Sequence, residues 1–348
     1  MITDIDGLPP ILKSSITAEE AAYLETLRRR KGFPFGVTAY FASLAGANQD
    51  DPIRRQFFPD PREALADPFA LDDPLGEAVY RAAPRLTHQY RDRALILAGG
   101  ACPGYCRHCF RRLWMARAQN FIDAETLTPI LGYLKEHSEI REVLVSGGDP
   151  LTASDEALAW LFGELRAARP GLLLRLCTRA PITDPYRLTP RFIELLQAYR
   201  PVRMAVHINH PRELAEPARK ALGECAQAGI PVHVQTVLLR GVNDNAEILG
   251  DLFRECLDLG LSPYYLFQLD LAFGTAHFRV PLEEGLNLYR DLGRRVSGLA
   301  LPRYAVDLPG GGGKLILHGG VIAGAHDSPR GAVYMLKAPD GRLWAYPQ

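Results

Sequence analysis

Apolar residues recur along the chain with two different periods, and the change of period divides the sequence. Residues 17–30, TAEEAAYLETLRRR, carry apolar residues at helical spacing behind Thr17, which is a typical helix N-cap residue. The later stretch DPIRRQFFPDPREALADPFALDDPL is rich in Asp-Pro pairs and predicts irregular chain. Residues 1–90 are therefore expected to form a helical N-terminal region that wraps around the rest of the protein.

From residue 93 onward, short apolar runs alternate with amphipathic helical stretches. Strands that are apolar throughout, each followed by a helix, are typical of parallel βα units. Six such strands predict an α/β fold over residues 91–300, a partial (βα)6 barrel similar to part of a TIM barrel. The predicted strands cover residues 93–100, 142–148, 172–180, 202–209, 231–239 and 263–270. Residues 301–348 are predicted to form a small β-rich C-terminal segment.

Composition and charge are those of an ordinary globular enzyme. Hydrophobic residues make up 47% of the chain, and 40 basic residues balance 40 acidic ones. A nucleic-acid-binding protein would normally show a basic excess. No run of about 18 apolar residues occurs, and MITDIDGLPP lacks the basic and then apolar pattern of a signal peptide. We therefore expect a cytoplasmic protein that binds neither membranes nor nucleic acids.

Half of the six cysteines lie in one loop after the first predicted strand. Cys102, Cys106 and Cys109 form a C-x3-C-x2-C pattern in ACPGYCRHCFRR. In a reducing compartment such clustering indicates a metal site or redox chemistry. A structural zinc site completed by His108 or by a distant histidine is one interpretation, but zinc sites usually combine two pairs of ligands. Three thiolates suit an iron–sulfur cluster better, and on a four-iron cube they leave one iron open for a ligand.

A C-x3-C-x2-C loop after the first strand of a partial barrel resembles the radical S-adenosylmethionine (radical SAM) superfamily. The resemblance implies a [4Fe–4S] cluster on the three cysteines, with S-adenosylmethionine bound to the open iron. In that superfamily a glycine-rich segment after the second strand contacts the cofactor, and SGGDP fits it. The cofactor-binding positions that the resemblance implies are Ser146, Gly147, Gly148, Asp149, His207 and Gln235.

The segment VDLPGGGGK places Lys314 directly after four glycines. From the residues alone it is a flexible linker with a surface lysine, a phosphate-cradling loop, or a lysine that forms a Schiff base with pyridoxal phosphate. The common phosphate-loop pattern fails because Leu315 follows the lysine. The spacing does not choose between the remaining two.

Seven motifs in matching order make the chain similar to the lysine 2,3-aminomutase family of that superfamily. They are CRHCFRR, SGGDPL, HINHP, QTVLLRGVNDN, PYYLFQLD, GTAHFR and VDLPGGGGK, and the similarity runs from about residue 33 to residue 320. The resemblance implies an isomerase that interconverts L-lysine and β-lysine, with pyridoxal phosphate as a further cofactor. It also implies an amino acid substrate, an electron donor of the flavodoxin or ferredoxin type, and a possible homo-oligomer.

For pyridoxal phosphate, the resemblance implies three protein contacts. Lys314 holds the cofactor and is the catalytic lysine, Arg93 binds its phosphate, and Tyr90 lies at another contact position. Where the family often has an arginine before this tyrosine, the chain has Gln89. One phosphate contact is therefore missing or moved.

For the substrate, the resemblance implies a carboxylate site and an ammonium site. Arg111 binds the carboxylate, a role that suits the planar fork of a guanidinium. Asp270 and Asp307 bind the distal ammonium of lysine. Related enzymes that act on glutamate lack this acidic pair, so its presence favours a basic amino acid.

Some features depart from the long members of the family, which carry a zinc module built from C-terminal cysteines. No cysteine follows Cys256, and Asn245 stands where those enzymes place a zinc ligand, so no zinc is expected. The absence of zinc also fits the branch that makes (R)-β-lysine for modifying elongation factor P, although that branch tends to lose the glycine–lysine loop. Three further functions stay open: an aminomutase for another basic amino acid, a radical SAM enzyme without pyridoxal phosphate, and an iron–sulfur electron carrier.

Overall fold

The computed structural model describes residues 1–30, 32–115, 120–318 and 320–348. These residues form one large sheet, in which ten strands follow each other in chain order, and a separate three-stranded sheet. The strands of the large sheet are β1 Arg81–Ala83, β2 Leu86–Tyr90, β3 Arg93–Gly99, β4 Glu142–Gly147, β5 Leu173–Thr178, β6 Val202–His207, β7 Val232–Val237, β8 Ser262–Phe267, β9 Arg303–Leu308 and β10 Gly313–Ile316.

Strands β3 to β9 run parallel to their neighbours. Strands β3 to β8 confirm the six predicted strands, with ends that differ by at most three residues. Strand β9 is a further parallel strand, which the sequence analysis assigned to the C-terminal segment. Antiparallel strands extend both edges, β1 and β2 on one side and β10 on the other. The sheet therefore continues through residues 90 and 300, where the sequence analysis divided the chain.

Helices connect the parallel strands and cover the outside of the sheet. The α-helices are α1 Pro10–Lys13, α2 Ala18–Arg29, α3 Ala39–Ser43, α4 Arg54–Phe57, α5 Arg112–Met115, α6 Ala124–Glu136, α7 Asp155–Ala168, α8 Ala180–Thr183, α9 Pro190–Ala198, α10 Glu216–Gln227, α11 Ala246–Asp258 and α12 Leu282–Arg295. Their apolar faces and the outer strand faces share one core.

Successive residues of each parallel strand face opposite sides of the sheet. In β4, Val143 and Val145 are fully buried and join helix residues such as Leu158 in the core. Ser146 of the same strand and Arg175 of β5 face inward and line a central cavity. Helices cover the outer face of the sheet and the inner face surrounds the cavity, so the strands are rich in apolar residues. The polar strand residues Ser146 and Arg175 lie on the cavity side.

The N-terminal region contains the four helices α1 to α4 joined by irregular chain, and its last residues form β1 and β2 of the large sheet. Helix α2 begins at the expected place, because Thr17 and Glu20 form a reciprocal capping box. The Asp-Pro-rich stretch is largely irregular, apart from α4 and short 3-10 turns. We call residues 58–80 the strap, because they cross the mouth of the barrel. An ion pair between Asp67 and Arg279 helps to hold the strap there.

The C-terminal segment confirms the predicted β-rich structure. Strands β11 Ile322–Ser328, β12 Gly331–Lys337 and β13 Leu343–Pro347 form an antiparallel sheet. Tyr346 is buried, and its hydroxyl lies 3.2 Å from the carbonyl oxygen of Leu269, to which it donates. The small sheet therefore packs against the loop that follows β8. Over the described part of the chain, no helix combines the length and apolar character needed to span a bilayer.

Candidate active site

A cavity of about 360 Å³ lies inside the barrel, enclosed by the inward faces of the parallel strands. Clefts of this size, with apolar walls and a few polar groups, are typical of small-molecule sites. Every site residue predicted from the sequence lines this cavity: Tyr90, Arg93, Cys102, Cys106, Cys109, Arg111, Ser146, Gly147, Gly148, Asp149, His207, Gln235, Asp270, Asp307 and Lys314. The topology thus brings together residues that are up to 224 positions apart, as Tyr90 and Lys314 are.

The cysteine loop follows β3 and is held in place by the N-terminal region. The amide of Tyr105 donates to the carbonyl of Gly36 at 2.8 Å, and the amide of Arg107 donates to the carbonyl of Gln56 at 2.8 Å. Backbone bonds of this kind fix a loop whose own residues form no regular element. The wrapping N-terminal region therefore shapes the predicted cluster site.

The three thiols lie close enough to influence one another. Burial, together with the charge of Cys106, raises the pKa of Cys109 to about 11. The pKa of Cys102 is raised in the same way, by burial first and then by nearby negative charges. Among the described residues, no three His, Cys, Asp or Glu side chains converge on a single-ion site. The donor set of three neighbouring thiols suits an iron–sulfur cluster, which accepts thiolate charge.

One of the three sulfurs has a cationic partner. The buried guanidinium of Arg179, at the end of β5, donates to Cys106 Sγ at 2.7 Å and to Gln56 Oε1 at 2.6 Å. It also forms an ion pair of 3.1 Å with the buried Glu213. Hydrogen bonds to ligand sulfurs tune iron–sulfur clusters and orient their ligands. Arg179 has no recognisable signal in the sequence, since its contact depends on where β5 ends.

Gly147 and Gly148 bring the end of β4 against the cysteine loop. A Cβ on Gly147 would lie 2.5 Å from the carbonyl oxygen of Gly99, and one on Gly148 would lie 2.3 Å from that of Ala101. Gly147 also has a φ of +118°, which favours glycine. The protein backbone itself therefore requires both glycines, and the cofactor contact that the resemblance implies for them stays a prediction.

The carboxylate of Asp149 is occupied by protein donors. It accepts hydrogen bonds from the Thr178 hydroxyl at 2.7 Å and from the amides of Arg179 and Ala180 at 2.7 and 2.9 Å. Only 5% of Asp149 is exposed. Burial raises its pKa despite these hydrogen bonds. Asp149 therefore ties the end of β4 to the end of β5.

His207 and Gln235 stand opposite each other on β6 and β7. A ring nitrogen of His207, Nε2, lies 2.9 Å from the side-chain oxygen of Asn209. Burial, together with the nearby positive charge of Arg179, lowers the pKa of His207 to about 3. The imidazole is therefore neutral at physiological pH. It offers hydrogen bonds and a flat surface to a ligand in the cavity, but no charge.

Lys314 and Asp307 face each other across the hairpin of β9 and β10. The strand register pairs them directly, and Lys314 Nζ lies 2.7 Å from Asp307 Oδ2. The same nitrogen lies 4.0 Å from the ring centre of Phe267 and 5.2 Å from that of Tyr265. A carboxylate and two aromatic faces therefore hold the ammonium inside the cavity.

The glycine run before Lys314 spans the gap between the two edges of the large sheet. The Tyr80 hydroxyl donates to the carbonyl of Gly311 at 2.8 Å, and the Gln89 amide donates to it at 3.3 Å. The amide of Lys314 donates to the Tyr90 hydroxyl at 2.9 Å. Side chains rather than a strand ladder thus join β10 to the β2 side of the barrel. Gln89, the departure from the family pattern, supports the glycine run.

Arg93 and Tyr90 form one unit beside this loop. The guanidinium carbon of Arg93 lies 3.9 Å from the centre of the Tyr90 ring. Arg93 also forms an ion pair of 3.0 Å with Asp92, whose side chain is 65% exposed. A lysine amine, a cation and an aromatic ring on one cavity wall fit pyridoxal phosphate, which has an aldehyde, a phosphate and a flat ring.

Asp270 follows β8 and faces the same end of the cavity. Burial raises the pKa of Asp270 to about 8, and the negative charge of Asp307 contributes to this rise. Lys314 and Arg111 act in the opposite direction. Burial therefore favours the protonated form of Asp270. A cationic ligand group beside it would favour the ionised form.

Arg111 is already paired with a carboxylate of the protein. Its Nη2 donates to Glu77 Oε1 at 2.7 Å, and its Nη1 donates to Glu77 Oε2, so the pair is bidentate. Side-chain exposure is 10% for Arg111 and 20% for Glu77, and both line the cavity. Glu77 belongs to no recognisable motif of the sequence, because its pairing with Arg111 depends on the path of the strap.

A second bidentate pair lies on the strands of the barrel. Arg175 of β5 donates to both oxygens of Glu142 in β4, at 2.8 and 2.7 Å. Arg175 lines the cavity, as does Cys177 two residues later. Because Arg175 and Cys177 are two positions apart in β5, strand alternation predicts that both side chains face the same side of the sheet.

Comparison with known proteins agrees with this geometry. A model of the radical SAM superfamily matches residues 96–252. A Treponema pallidum protein named "Putative L-lysine 2,3-aminomutase" is 48% identical over 281 residues, which are 80% of this chain and 79% of that protein. The L-lysine 2,3-aminomutase of Methanococcus maripaludis is 37% identical over 316 residues, 90% of this chain and 72% of that protein. The chain belongs to the lysine 2,3-aminomutase family of radical SAM proteins.

Membership of this family has consequences for the cavity. Radical SAM proteins use a [4Fe–4S] cluster and S-adenosylmethionine, so both are cofactors of this family member. The family also contains enzymes for another substrate, since the glutamate 2,3-aminomutase of Clostridioides difficile is 35% identical over 314 residues, 90% of this chain and 73% of that protein. The residues around the substrate position must therefore decide which amino acid enters.

Proposed function

We propose that the protein moves the α-amino group of L-lysine to C3 and forms β-lysine, with pyridoxal phosphate as a third cofactor. The observation that supports this most directly is the pair formed by Lys314 and Asp307, 2.7 Å apart in the cavity that the three thiols also line. A radical source and a lysine amine thus share one small chamber. The family members named for this reaction agree with the proposal.

Cys102, Cys106 and Cys109 hold three irons of the cluster in this proposal and leave the fourth for S-adenosylmethionine. When bound, the reduced cluster and S-adenosylmethionine would together supply a carbon-centred radical able to abstract a hydrogen atom. Arg179 balances part of the thiolate charge at Cys106, to which it donates a hydrogen bond. The required electron comes from a donor of the flavodoxin or ferredoxin type, in a reducing compartment such as the cytoplasm.

Lys314 anchors pyridoxal phosphate, and Arg93 binds the phosphate group. The cofactor supplies a conjugated system that stabilises an unpaired electron while nitrogen moves. Asp307 keeps the amine of Lys314 inside the cavity, and Tyr90 holds its backbone amide. These contacts fix the lysine where it can bind and release the cofactor.

Arg111 binds the α-carboxylate of the substrate, and Asp270 and Asp307 bind its distal ammonium. The two carboxylates favour a cationic side chain, because a second carboxylate at that position would meet repulsion from both. This charge pattern supports lysine over glutamate, the substrate of the Clostridioides difficile relative. Family membership also argues against a simple electron carrier.

The test uses anaerobically reconstituted protein with S-adenosylmethionine, pyridoxal phosphate, a reductant and L-lysine. We expect β-lysine by mass spectrometry after chiral derivatisation, and none from Cys106→Ala, which lacks a cluster ligand. Release of 5′-deoxyadenosine without β-lysine would keep the radical chemistry and reject L-lysine as substrate. A pyridoxal phosphate absorbance band that persists in Lys314→Ala would reject Lys314 as the anchor.

A further inference from the structure

Two carboxylates compete for Arg111 if the proposed function holds. Its guanidinium is taken up by the bidentate pair with Glu77, in the position where the substrate carboxylate is proposed to bind. If both carboxylates stayed, two negative charges would share one positive charge in a partly buried place. Removing a charge from water without a partner is costly, so this arrangement is unfavourable.

Glu77 lies on a part of the strap that is suited to movement. We call residues 76–80 the strap turn. It begins at Gly76, whose φ is +66°, and contains a four-residue 3-10 helix, Glu77–Tyr80. Val79, at its centre, is 77% exposed. Short exposed turns with few buried contacts open more readily than the core of a sheet.

The Glu142–Arg175 pair is also a bidentate contact between a glutamate and an arginine, but both of its residues lie on strands. Its two partners stand on adjacent strands, β4 and β5, which the parallel ladder holds at constant distance. Glu77 lies in no strand: its turn contacts the barrel through the Arg111 pair, the Tyr80 hydroxyl and Gly76, and it joins β1 at Arg81. The strap pair is therefore the one that can exchange partners.

We propose that Glu77 occupies the carboxylate site of the unliganded protein, and that the α-carboxylate of the amino acid replaces it on Arg111. Glu77 thereby lowers the affinity for a ligand whose carboxylate must displace it, and leaves the affinity for a ligand without a carboxylate unchanged. The exchange keeps Arg111 paired at all times, so no bare charge is exposed in the cavity. This proposal rests on the proposed function, because it assumes an amino acid ligand.

Displacement also affects the loop that carries Lys314. The strap turn contacts the glycine run at two points: the Tyr80 hydroxyl bonds to Gly311, and a Cβ on Gly76 would lie 2.3 Å from the Gly311 amide nitrogen. A turn released from Arg111 therefore loosens one support of the glycine run. Binding of the carboxylate is in this way transmitted to the lysine loop.

The decisive experiment is equilibrium binding to the protein with its cluster and pyridoxal phosphate but without S-adenosylmethionine, so that no turnover occurs. Calorimetry compares L-lysine with cadaverine, which is lysine without its carboxylate. We expect Glu77→Gln to bind L-lysine about 3- to 10-fold more tightly than the wild type, because the neutral amide competes less well for Arg111. Cadaverine affinity should be unchanged. Glu142→Gln is the matched control and should leave the affinity for L-lysine unchanged.

Each contrary outcome overturns the exchange. Weaker L-lysine binding in Glu77→Gln would make Glu77 a residue that positions Arg111. Equal binding would mean that the pair persists in the complex, and a gain in Glu142→Gln instead would move the carboxylate to Arg175. The three outcomes above overturn the exchange and leave the proposed function standing. If the wild type does not bind L-lysine at all, the proposed function fails, and the exchange fails with it.

A second readout follows the strap turn itself. The amides of Glu77 and Ala78 donate to the Asp73 carboxylate at 3.0 and 2.8 Å. Hydrogen–deuterium exchange of residues 76–80 should become faster when L-lysine binds and should not change with cadaverine. Slower exchange with L-lysine would show that the turn closes rather than releases, and would overturn the proposal.

Discussion

Two glutamates of the strap pair with arginines of the same motif, CRHCFRR, yet their surroundings differ. Glu63 is fully buried and binds Arg107 through two hydrogen bonds, of 2.7 and 2.5 Å, and Arg112 through one of 2.5 Å. Glu77 lies on the wall of the cavity and binds Arg111 alone among the described residues. The first cluster is closed to solvent and ligands, whereas the second borders the chamber that a substrate enters.

The difference shows that neighbours, rather than residue type, decide whether a charged pair is structural. At Glu63 two arginines lower the pKa of the carboxyl even though burial alone would raise it. At Asp270, in the cavity, burial raises the pKa and the surrounding charges do not compensate it. Glu63, whose charge is matched by two arginines of the protein, helps to hold the cysteine loop. Asp270, whose charge the protein does not match, is available to a cationic ligand group.

The largest expected effect separates the two clusters by stability. Glu63→Ala leaves two buried guanidinium groups without their carboxylate, and we expect the free energy of unfolding to fall by about 3–5 kcal/mol. Glu77→Ala should lower it by less, about 1–3 kcal/mol, because it leaves only one guanidinium without its carboxylate and that guanidinium borders the cavity. Urea titration of both variants, followed by circular dichroism, measures the difference.

If Glu63→Ala does not accumulate as folded protein, Glu63→Gln provides the measurement, since it keeps the shape and removes the charge. Equal losses of stability in Glu63→Gln and Glu77→Gln would contradict the distinction between the clusters. The contact of Glu77 beside the cavity would then anchor the strap as strongly as the buried contacts of Glu63.

Adjacent arginines provide the next test of the comparison. Arg111→Lys keeps the charge but loses the planar fork, and we expect the affinity for L-lysine to fall about 10- to 100-fold with little change in stability. Arg112→Lys should instead lower the free energy of unfolding by about 1–3 kcal/mol, because the Arg112 guanidinium also donates to the carbonyl of Gly274 at 2.8 Å. Calorimetry and urea titration on both variants separate binding from stability. Loss of L-lysine affinity in Arg112→Lys alone would reverse the assignment.

The sequence predicted much of the fold because local patterns determine it. Alternating apolar runs and helices located β3 to β8, and Thr17 marked the start of α2. Strand β9 was not recognised as part of the barrel, because its run AVDLPGGGG looks like the start of a loop and its pairing with β8 is visible only in three dimensions.

The candidate site was predicted through its motifs, and the residues that were missed are those with distant partners. Glu77 and Arg179 reach the cavity only because the strap crosses it and β5 ends beside Cys106. Neither residue belongs to a local pattern, so spacing could not reveal them. The sequence showed that SGGDP contains two glycines but not that the fold requires them. The requirement comes from the backbone of the neighbouring loop, which leaves no room for a side chain there.

The smallest expected effect, taken over a single pH unit, concerns the cavity aspartate Asp270. With a pKa of about 8 in the folded protein, Asp270 holds a proton that the unfolded chain loses near pH 4. Its contribution to stability therefore falls as pH rises from about 4 to about 8, and Asp270→Asn should remove this fall. The opposite sign applies to L-lysine. Its distal ammonium requires ionised Asp270, so the ligand must release that proton, and affinity should rise with pH by at most about tenfold per unit below pH 8.

Calorimetry in two buffers of different ionisation enthalpy measures the proton released when L-lysine binds, and the α-amine of the ligand contributes in every variant. The difference between the wild type and Asp270→Asn isolates the share of Asp270. Buried Glu63, whose pKa is lowered by its arginines, should contribute nothing to that difference. An identical pH slope in both proteins would mean that Asp270 is ionised before the ligand arrives. The protein would then supply Asp270 with partners for its charge as completely as it does for the buried Glu63.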